Sequence, residues 1–346
     1  MAKPRIGVFA LGGTIAMVKG DAGGVKPGLG ADDLVAAVPE LPTLAEISAE
    51  TVARLPSPCL TADHVHGLAQ RIEALAAAAA LDGAIVTQGT DTIEETAFLL
   101  DCLLDLAIPV IVVGAMRNPL ATSPDGPGNL LAAVRVAVDP EVRRQARALG
   151  VLVVMLDSIH AAQEVVKADS HRVDAFASPQ AGPLGTIVED RVRLSAMPRR
   201  PHLAALRAAL GPAPAGRLAG RPASVACLPL ALGDDGALVK AILASPQHLG
   251  LDGVVLGLMG GGHAPDWLAD EIGLLAAALP VVGCGRMGSG ALLRATYEFP
   301  GGEIDLRRRG VIAAGRLHPF KARVLLGLLL RAAPREAIAE VFAAFD

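Results

Sequence analysis

Three short stretches of this chain carry side chains that could do chemistry together. Thr87-Gln88-Gly89-Thr90-Asp91-Thr92 sets hydroxyls and a carboxylate where a short apolar run gives way to a helical pattern, a place where α/β proteins commonly build active sites. Leu11-Gly12-Gly13-Thr14 puts another threonine after a glycine pair at the end of a first apolar run, and a lone lysine, Lys167, follows the apolar run 150–155. A threonine hydroxyl is a weak nucleophile at neutral pH and needs a base beside it and a partner that orients the base. Lys167 and Asp91 are the right types for those parts, so the three places together indicate a threonine nucleophile with a lysine base.

Taken singly, each place has a plainer explanation. Thr92 with Glu95 fits a helix capping box, and Asp91 suits the positive end of a helix dipole. Gly12-Gly13-Thr14 reads equally as a tight turn with a threonine opening a helix. Most lysines lie on the surface, and Lys167 alone would be taken for one of them.

The elements that must position these residues alternate in type. Strand-length apolar runs at 5–10, 84–87, 109–113 and 150–155 are interleaved with helical patterns at 63–80, 92–104 and 129–138. That rhythm predicts a mainly parallel sheet covered by helices. Residues 182–194 alternate and turn like a β-hairpin that closes the first domain. Pro, Gly and Arg concentrate over 199–221, as in a linker. A second α/β rhythm follows: apolar runs at 224–230, 253–258 and 280–283, and helices at 266–279, 319–330 and 334–344. The expected organisation is α/β with two domains: a larger catalytic domain 1–199, a linker 200–221 and a smaller domain 222–346.

At 346 residues the chain exceeds the size at which a single core usually stops growing. Its 31 Lys plus Arg against 35 Asp plus Glu give a net charge of -4, with Arg307-Arg308-Arg309 the longest run of either sign. This argues against an electrostatic grip on nucleic acid. Mean hydropathy is +0.47, yet charge breaks every apolar stretch before the roughly 18 residues that a membrane span needs. A first strand entered by Arg5 leaves no room for an apolar export segment, so a soluble, cytoplasmic protein is expected. Cys59, Cys102, Cys227 and Cys284 are scattered without close pairing, and His64 and His66 near Cys59 lack a fourth ligand at useful spacing. Neither a disulfide scaffold nor a metal site is expected.

The combination of Leu11-Gly12-Gly13-Thr14-Ile15-Ala16 with Thr87-Gln88-Gly89-Thr90-Asp91-Thr92 resembles the signature elements of the bacterial-type L-asparaginases, the asparaginase/glutaminase family. The resemblance extends through Val113-Gly114-Ala115-Met116-Arg117, the stretch from Ser123 to Asn129, the residues leading to Lys167, and the segment 317–326. It implies hydrolysis of the side-chain amide of L-asparagine, with some glutaminase activity open, and no metal or organic cofactor. It also implies a small-molecule substrate, no nucleic-acid or membrane partner, and a homo-oligomer, dimer or tetramer, because relatives complete their sites across subunits. Under the resemblance Thr14 matches the nucleophile, and Thr90, Lys167 and Asp91 match a second catalytic group in which Lys167 accepts the proton and Asp91 also holds the substrate α-ammonium. Ser57 falls where the family binds the substrate carboxylate, and the backbone of Gly89 and Ala115 lines the same pocket.

The chain also departs from that pattern. The loop 17–28 has glycines suited to a lid but lacks the tyrosine that many relatives place there. The only tyrosine, Tyr297, falls near where several relatives supply a glutamate from a neighbouring subunit, and is a candidate catalytic residue reaching the site in trans; packing in an interface is the alternative. Pro58 and Gly260-Gly261-Gly262-His263 stand where some relatives have further contacts to the ammonium.

Two other classes of function remain open at this level. Gly283-Cys284-Gly285-Arg286-Met287-Gly288, with Glu303 beyond it, spells the G-x-G-x-x-G fingerprint of a dinucleotide-binding oxidoreductase, although it lies late in the chain and residues 291–299 read as an extended segment where that motif needs a helix. A non-catalytic amino-acid-binding protein on the asparaginase fold is the other.

Overall fold

The computed structural model describes residues 2–21, 23–211, 214–218, 220–245 and 248–345. The chain divides into two compact units, Met1–Arg199 and Arg200–Asp346.

Three strands form the middle of the first unit because their sequences have no polar face to show: Gly83–Thr87, Val110–Val113 and Val151–Met155 are buried at every position. Continuous burial of this kind belongs to parallel strands covered on both faces. They lie in an eight-stranded sheet whose spatial order runs Arg191–Leu194, Gly185–Val188, Ser158–Ala161, Val151–Met155, Val110–Val113, Gly83–Thr87, Arg5–Gly12, Glu46–Leu55. The five strands from Val151–Met155 to Glu46–Leu55 pair in parallel. The other three join antiparallel and include the hairpin expected at 182–194. Its turn, Glu189-Asp190, has φ of 49° and 66°, the double left-handed conformation that matches the twist of a two-residue hairpin.

Helices Ala62–Ala77, Ile93–Leu103 and Gly126–Val138 follow the sequence periodicity closely. Strand Glu46–Leu55 and helix Pro140–Leu149 have no counterpart in the apolar rhythm read from the sequence. The strand sits at the sheet edge with half-buried and exposed residues throughout, and the helix buries only Val142, Ala146 and Leu149.

The second unit holds a four-stranded parallel sheet in the order Val225–Pro229, Gly253–Leu258, Val281–Gly285, Ile312–Ala313. Its core gathers Val254, Leu256, Leu268, Ile272, Leu275 and Val281. Helices Ala269–Ala278, Pro319–Ala332 and Ala337–Ala343 realise the expected helical patterns. Within the segment read as a linker, residues 202–210 form a helix, His202–Leu210, that buries His202, Leu206 and Leu210. It packs on helices Pro319–Ala332 and Ala337–Ala343 of the same unit. Pro212, Ala213 and Ala219 of that segment lie outside the described residues.

The G-x-G-x-x-G run does not make a dinucleotide fingerprint. Its first two glycines belong to strand Val281–Gly285, and the next helix begins only at Glu303. No helix N-terminus therefore stands at Gly288 to receive a pyrophosphate, which is the physical purpose of that motif.

Candidate active site

Two of the three chemical stretches meet by backbone contact. Gly12 and Gly13 end the first strand with φ of 105° and 85°, values that glycine adopts without strain. A Cβ on Gly13 would lie 1.9 Å from the Gly89 nitrogen, so the two turns touch main chain to main chain. Thr14 and Thr90 are each the next residue after that contact. Gly89 in turn leaves room for Ser57, whose Oγ would stand 2.7 Å from a Cβ there.

Around this contact the side chains form one hydrogen-bonded chain. Lys167 Nζ donates to Thr90 Oγ1 at 2.9 Å and to Asp91 Oδ1 at 2.6 Å. Ser57 Oγ donates to Asp91 Oδ2 at 3.2 Å, and the Asp91 N–H lies 3.3 Å from the same hydroxyl oxygen. Ser57 and Thr90 are buried, while the Asp91 side chain is 58% exposed against 13% for Lys167. The carboxylate is thus the exposed member of the chain and the amine an enclosed one. Lys167 reaches this place from strand Val166–Lys167, which pairs antiparallel with Phe176–Ala177.

Helix capping does not account for these residues. The Thr92 hydroxyl makes no cap to helix Ile93–Leu103; it donates to the Ser57 carbonyl and accepts from Gln88 Nε2, both at 3.3 Å. Thr92 and Gln88 therefore tie the Thr90 turn to Ser57. Sequence reasoning gives Thr92 only a capping part and Gln88 none, although both lie inside the signature. Ala115 is fully buried. The preceding Gly114 has no room for a side chain, since a Cβ would meet the Gln88 carbonyl at 2.8 Å and Thr90 Cγ2 at 3.2 Å.

The loop after Thr14 forms a short antiparallel pair, Met17–Lys19 with Val25–Pro27, and Lys26 bridges to Asp21 at 2.8 Å. Ala22 lies outside the described residues. His64 serves its own helix, for its Nδ1 accepts the Thr61 N–H at 3.1 Å in the capping box of Ala62–Ala77.

Tyr297 belongs to the second unit and lies in non-repetitive chain, not in a strand. It is 44% exposed, and its ring meets His263 edge-on at 4.9 Å. The buried Glu303 carboxylate accepts the N–H groups of Thr296 at 2.7 Å and Tyr297 at 2.8 Å. Burial, the largest single influence, opposes ionisation of Glu303, but the N–H groups of Tyr297, Thr296 and Glu303 itself, together with nearby His263, outweigh it and hold the carboxyl below its usual range. If Tyr297 takes part in chemistry, Tyr297→Phe lowers turnover at least about tenfold, below the usual loss of a general acid or base, with assembly unchanged. Unchanged turnover and unchanged assembly, read by ammonia release and sedimentation, assign the ring to packing.

The fold and the site together define a two-unit α/β protein with a hydroxyl, amine and carboxylate site at the carboxyl ends of its main sheet. Residues 5–200 match the family model described as Asparaginase, N-terminal, and residues 224–342 match the Glutaminase/Asparaginase C-terminal domain. The chain belongs to the asparaginase family. It is 36% identical to a Deinococcus radiodurans protein named Probable L-asparaginase over 343 residues, covering 98% of this chain and 97% of that one. It is 40% identical to L-asparaginase 2 of Bacillus subtilis over 191 residues, 54% of this chain and 50% of that protein. A solved structure titled Crystal Structure of Probable Cytoplasmic L-asparaginase from Campylobacter jejuni superposes with a TM-score of 0.82 at 33% identity, covering 99% of both chains.

Proposed function

We propose that the protein is an L-asparagine amidohydrolase releasing aspartate and ammonia, with Thr14 as nucleophile and an acyl-enzyme intermediate. The observation that carries this reading is the Thr90–Lys167–Asp91 chain set against the Thr14 turn by the Gly13–Gly89 contact. At rest the Lys167 amine is paired with the Asp91 carboxylate at 2.6 Å. A substrate α-ammonium binding Asp91 at its exposed side competes with the amine for that carboxylate. The neutral amine then accepts a proton by way of the Thr90 hydroxyl. That proton comes from the Thr14 hydroxyl as its Oγ attacks the amide carbon; it passes on from the amine to the leaving nitrogen as the C–N bond breaks to release ammonia, and water then adds to the ester, giving aspartate and returning a proton to Thr14 Oγ. Ser57 supplies a hydroxyl donor for the substrate carboxylate, and the backbone at Gly89 and Ala115 lines the pocket.

Assembly as a dimer or tetramer belongs to the same reading, supported by the exposure of Met287 at 57%, Tyr297 at 44% and Phe299 at 46% in one stretch of the second unit. Cytoplasmic residence rests on the likeness to the Campylobacter protein; among the described residues no helix is long and apolar enough to cross a membrane.

The direct test is ammonia release from L-asparagine, L-glutamine and D-asparagine by the wild type. Release from L-asparagine supports the proposal, and no release from any of the three defeats it. Glutamine differs by one methylene, worth about 1–3 kcal/mol in a pocket, so measurable but slower glutaminase turnover is compatible with it. Because Pro58 and Gly260-Gly261-Gly262-His263 replace residues that some relatives use on the ammonium, Asp91 carries that charge with fewer partners. Each lost hydrogen bond to a charged group is worth about 1.5–3 kcal/mol. Weaker substrate binding than in relatives that keep those contacts is the expected result, and a micromolar Michaelis constant is the outcome that counts against it.

A further inference from the structure

Lys167 is the one member of the proposed site that the main sheet does not carry. Thr14, Ser57 and Thr90 with Asp91 follow strands Arg5–Gly12, Glu46–Leu55 and Gly83–Thr87 of the eight-stranded sheet, whereas Val166–Lys167 forms a sheet of two with Phe176–Ala177. That ladder has two residue pairs, Lys167 with Phe176 and Val166 with Ala177, extended by the Ala168 N–H donating to the Ala175 carbonyl at 2.7 Å. A two-stranded hairpin is marginal by itself, and a slip of one residue sends every side chain to the opposite face. Such a slip would turn the Lys167 amine away from Thr90, so the ladder needs an anchor outside itself.

His160 and Ser178 provide one. His160 stands in strand Ser158–Ala161 opposite Val153 of Val151–Met155, and the strand is held on its other edge by Gly185–Val188. Its place in the main sheet is therefore fixed. Ser178 is the residue next after Ala177, and its Oγ lies 2.9 Å from His160 Nδ1 in a hydrogen bond that either neutral tautomer of the ring can make. Both side chains are buried, at 3% and 6% exposure. The other end of the hairpin is tied by main chain, since the Glu164 and Val165 N–H groups both donate to the Ala161 carbonyl at 3.0 Å. Val165, Ala175 and Phe176 are buried too, but apolar contact is not directional and tolerates sliding. A buried hydrogen bond has one length and one direction, and breaking it leaves polar groups enclosed without water. It therefore specifies a single register, the one in which Lys167 Nζ stands 2.9 Å from Thr90 Oγ1.

We propose that His160 and Ser178 are positioning residues for the Lys167 amine: their hydrogen bond anchors the Lys167 hairpin to the main sheet and sets the reach of the amine to Thr90. This rests on the asparaginase reading, in which Lys167 is the base. The test measures kcat and KM with L-asparagine, together with thermal melting, for wild type, Ser178→Ala, His160→Leu, His160→Asn and Lys167→Met, and for Ser178→Ala combined with Lys167→Met. Ser178→Ala and His160→Leu are expected to lower kcat about 10- to 100-fold, as misplacement by about an ångström can do. KM should hold, because Ser57 and Asp91, the groups read as binding substrate, remain bonded to each other. His160→Asn, whose amide reaches the position of Nδ1, should keep most of the turnover that His160→Leu loses. In the Lys167→Met background Ser178→Ala should cost nothing further, since the group it positions is gone, whereas a packing role would cost as much there as in the wild type. Should His160→Leu fail to fold, Ser178→Ala in the two backgrounds carries the test alone. Wild-type kcat in folded Ser178→Ala, or an equal fall in both backgrounds, overturns the positioning role, while Lys167-dependent ammonia release keeps the asparaginase reading. Near-normal turnover by Lys167→Met removes the base and this proposal with it, and a wild type that releases no ammonia from L-asparagine overturns both readings.

Discussion

Lys167→Met is expected to leave the fold intact and to lower turnover on L-asparagine at least about 100-fold, the lower end for loss of a general base. The fold should survive because methionine matches the length of the lysine stem at a position only 13% exposed, and because the partner carboxylate of Asp91 is 58% exposed and rehydrates when the amine is removed. Loss of an ion pair with one exposed partner costs no more than about 1 kcal/mol, a small shift in a melting curve. Turnover should collapse because the amine lies 2.9 Å from Thr90 Oγ1 and no other nitrogen base is described within hydrogen-bond reach of that hydroxyl. The Michaelis constant is a second readout. Methionine leaves Asp91 free for the substrate ammonium, so KM should hold or fall while kcat drops, which separates loss of the base from loss of binding. Near-normal kcat in a folded Lys167→Met protein removes Lys167 from the mechanism.

What the sequence discloses about this site, and what it withholds, follows from where the information is stored. Thr14, Thr90 and Asp91 stand at strand ends whose apolar runs are continuous, so both the elements and the residues at their tips are legible. The lysine is harder. Between strand Val151–Met155 and Lys167 the chain makes an antiparallel strand, Ser158–Ala161, and then a two-residue strand paired to Phe176–Ala177. No local pattern encodes that return. Strand Glu46–Leu55, which delivers Ser57, escapes a sequence reading because an edge strand shows no continuous apolar run. The helix His202–Leu210 escapes it because Pro198 and Pro201 precede it and Gly211 and Pro212 follow it in sequence, marking the region as loop. The feature most thoroughly hidden is the contact of Gly13 with Gly89. Two glycines 76 positions apart in the chain carry no sign of each other in sequence, yet their lack of Cβ atoms is what lets the two threonine turns touch.

That contact also decides what Thr14→Ala should do. Alanine keeps the Cβ and the backbone of the turn, so the main-chain approach of Gly13 to Gly89 and the Lys167–Thr90–Asp91 chain stay in place. The oxygen proposed as nucleophile is what disappears. A fall of at least about 1,000-fold in ammonia release from L-asparagine is expected, as for loss of a covalent nucleophile. Thr14→Ser, which restores a hydroxyl at the same Cβ, should recover most of that loss. Groups that act as one unit are not additive, so adding Lys167→Met to Thr14→Ala should cost little beyond Thr14→Ala alone. The contrasting case is Thr90→Ala, which removes the hydroxyl that Lys167 contacts. If Thr90→Ala abolishes a rapid acyl-enzyme burst while Thr14→Ala retains it, the two threonines exchange roles, and the nucleophile is the hydroxyl already hydrogen-bonded to the amine.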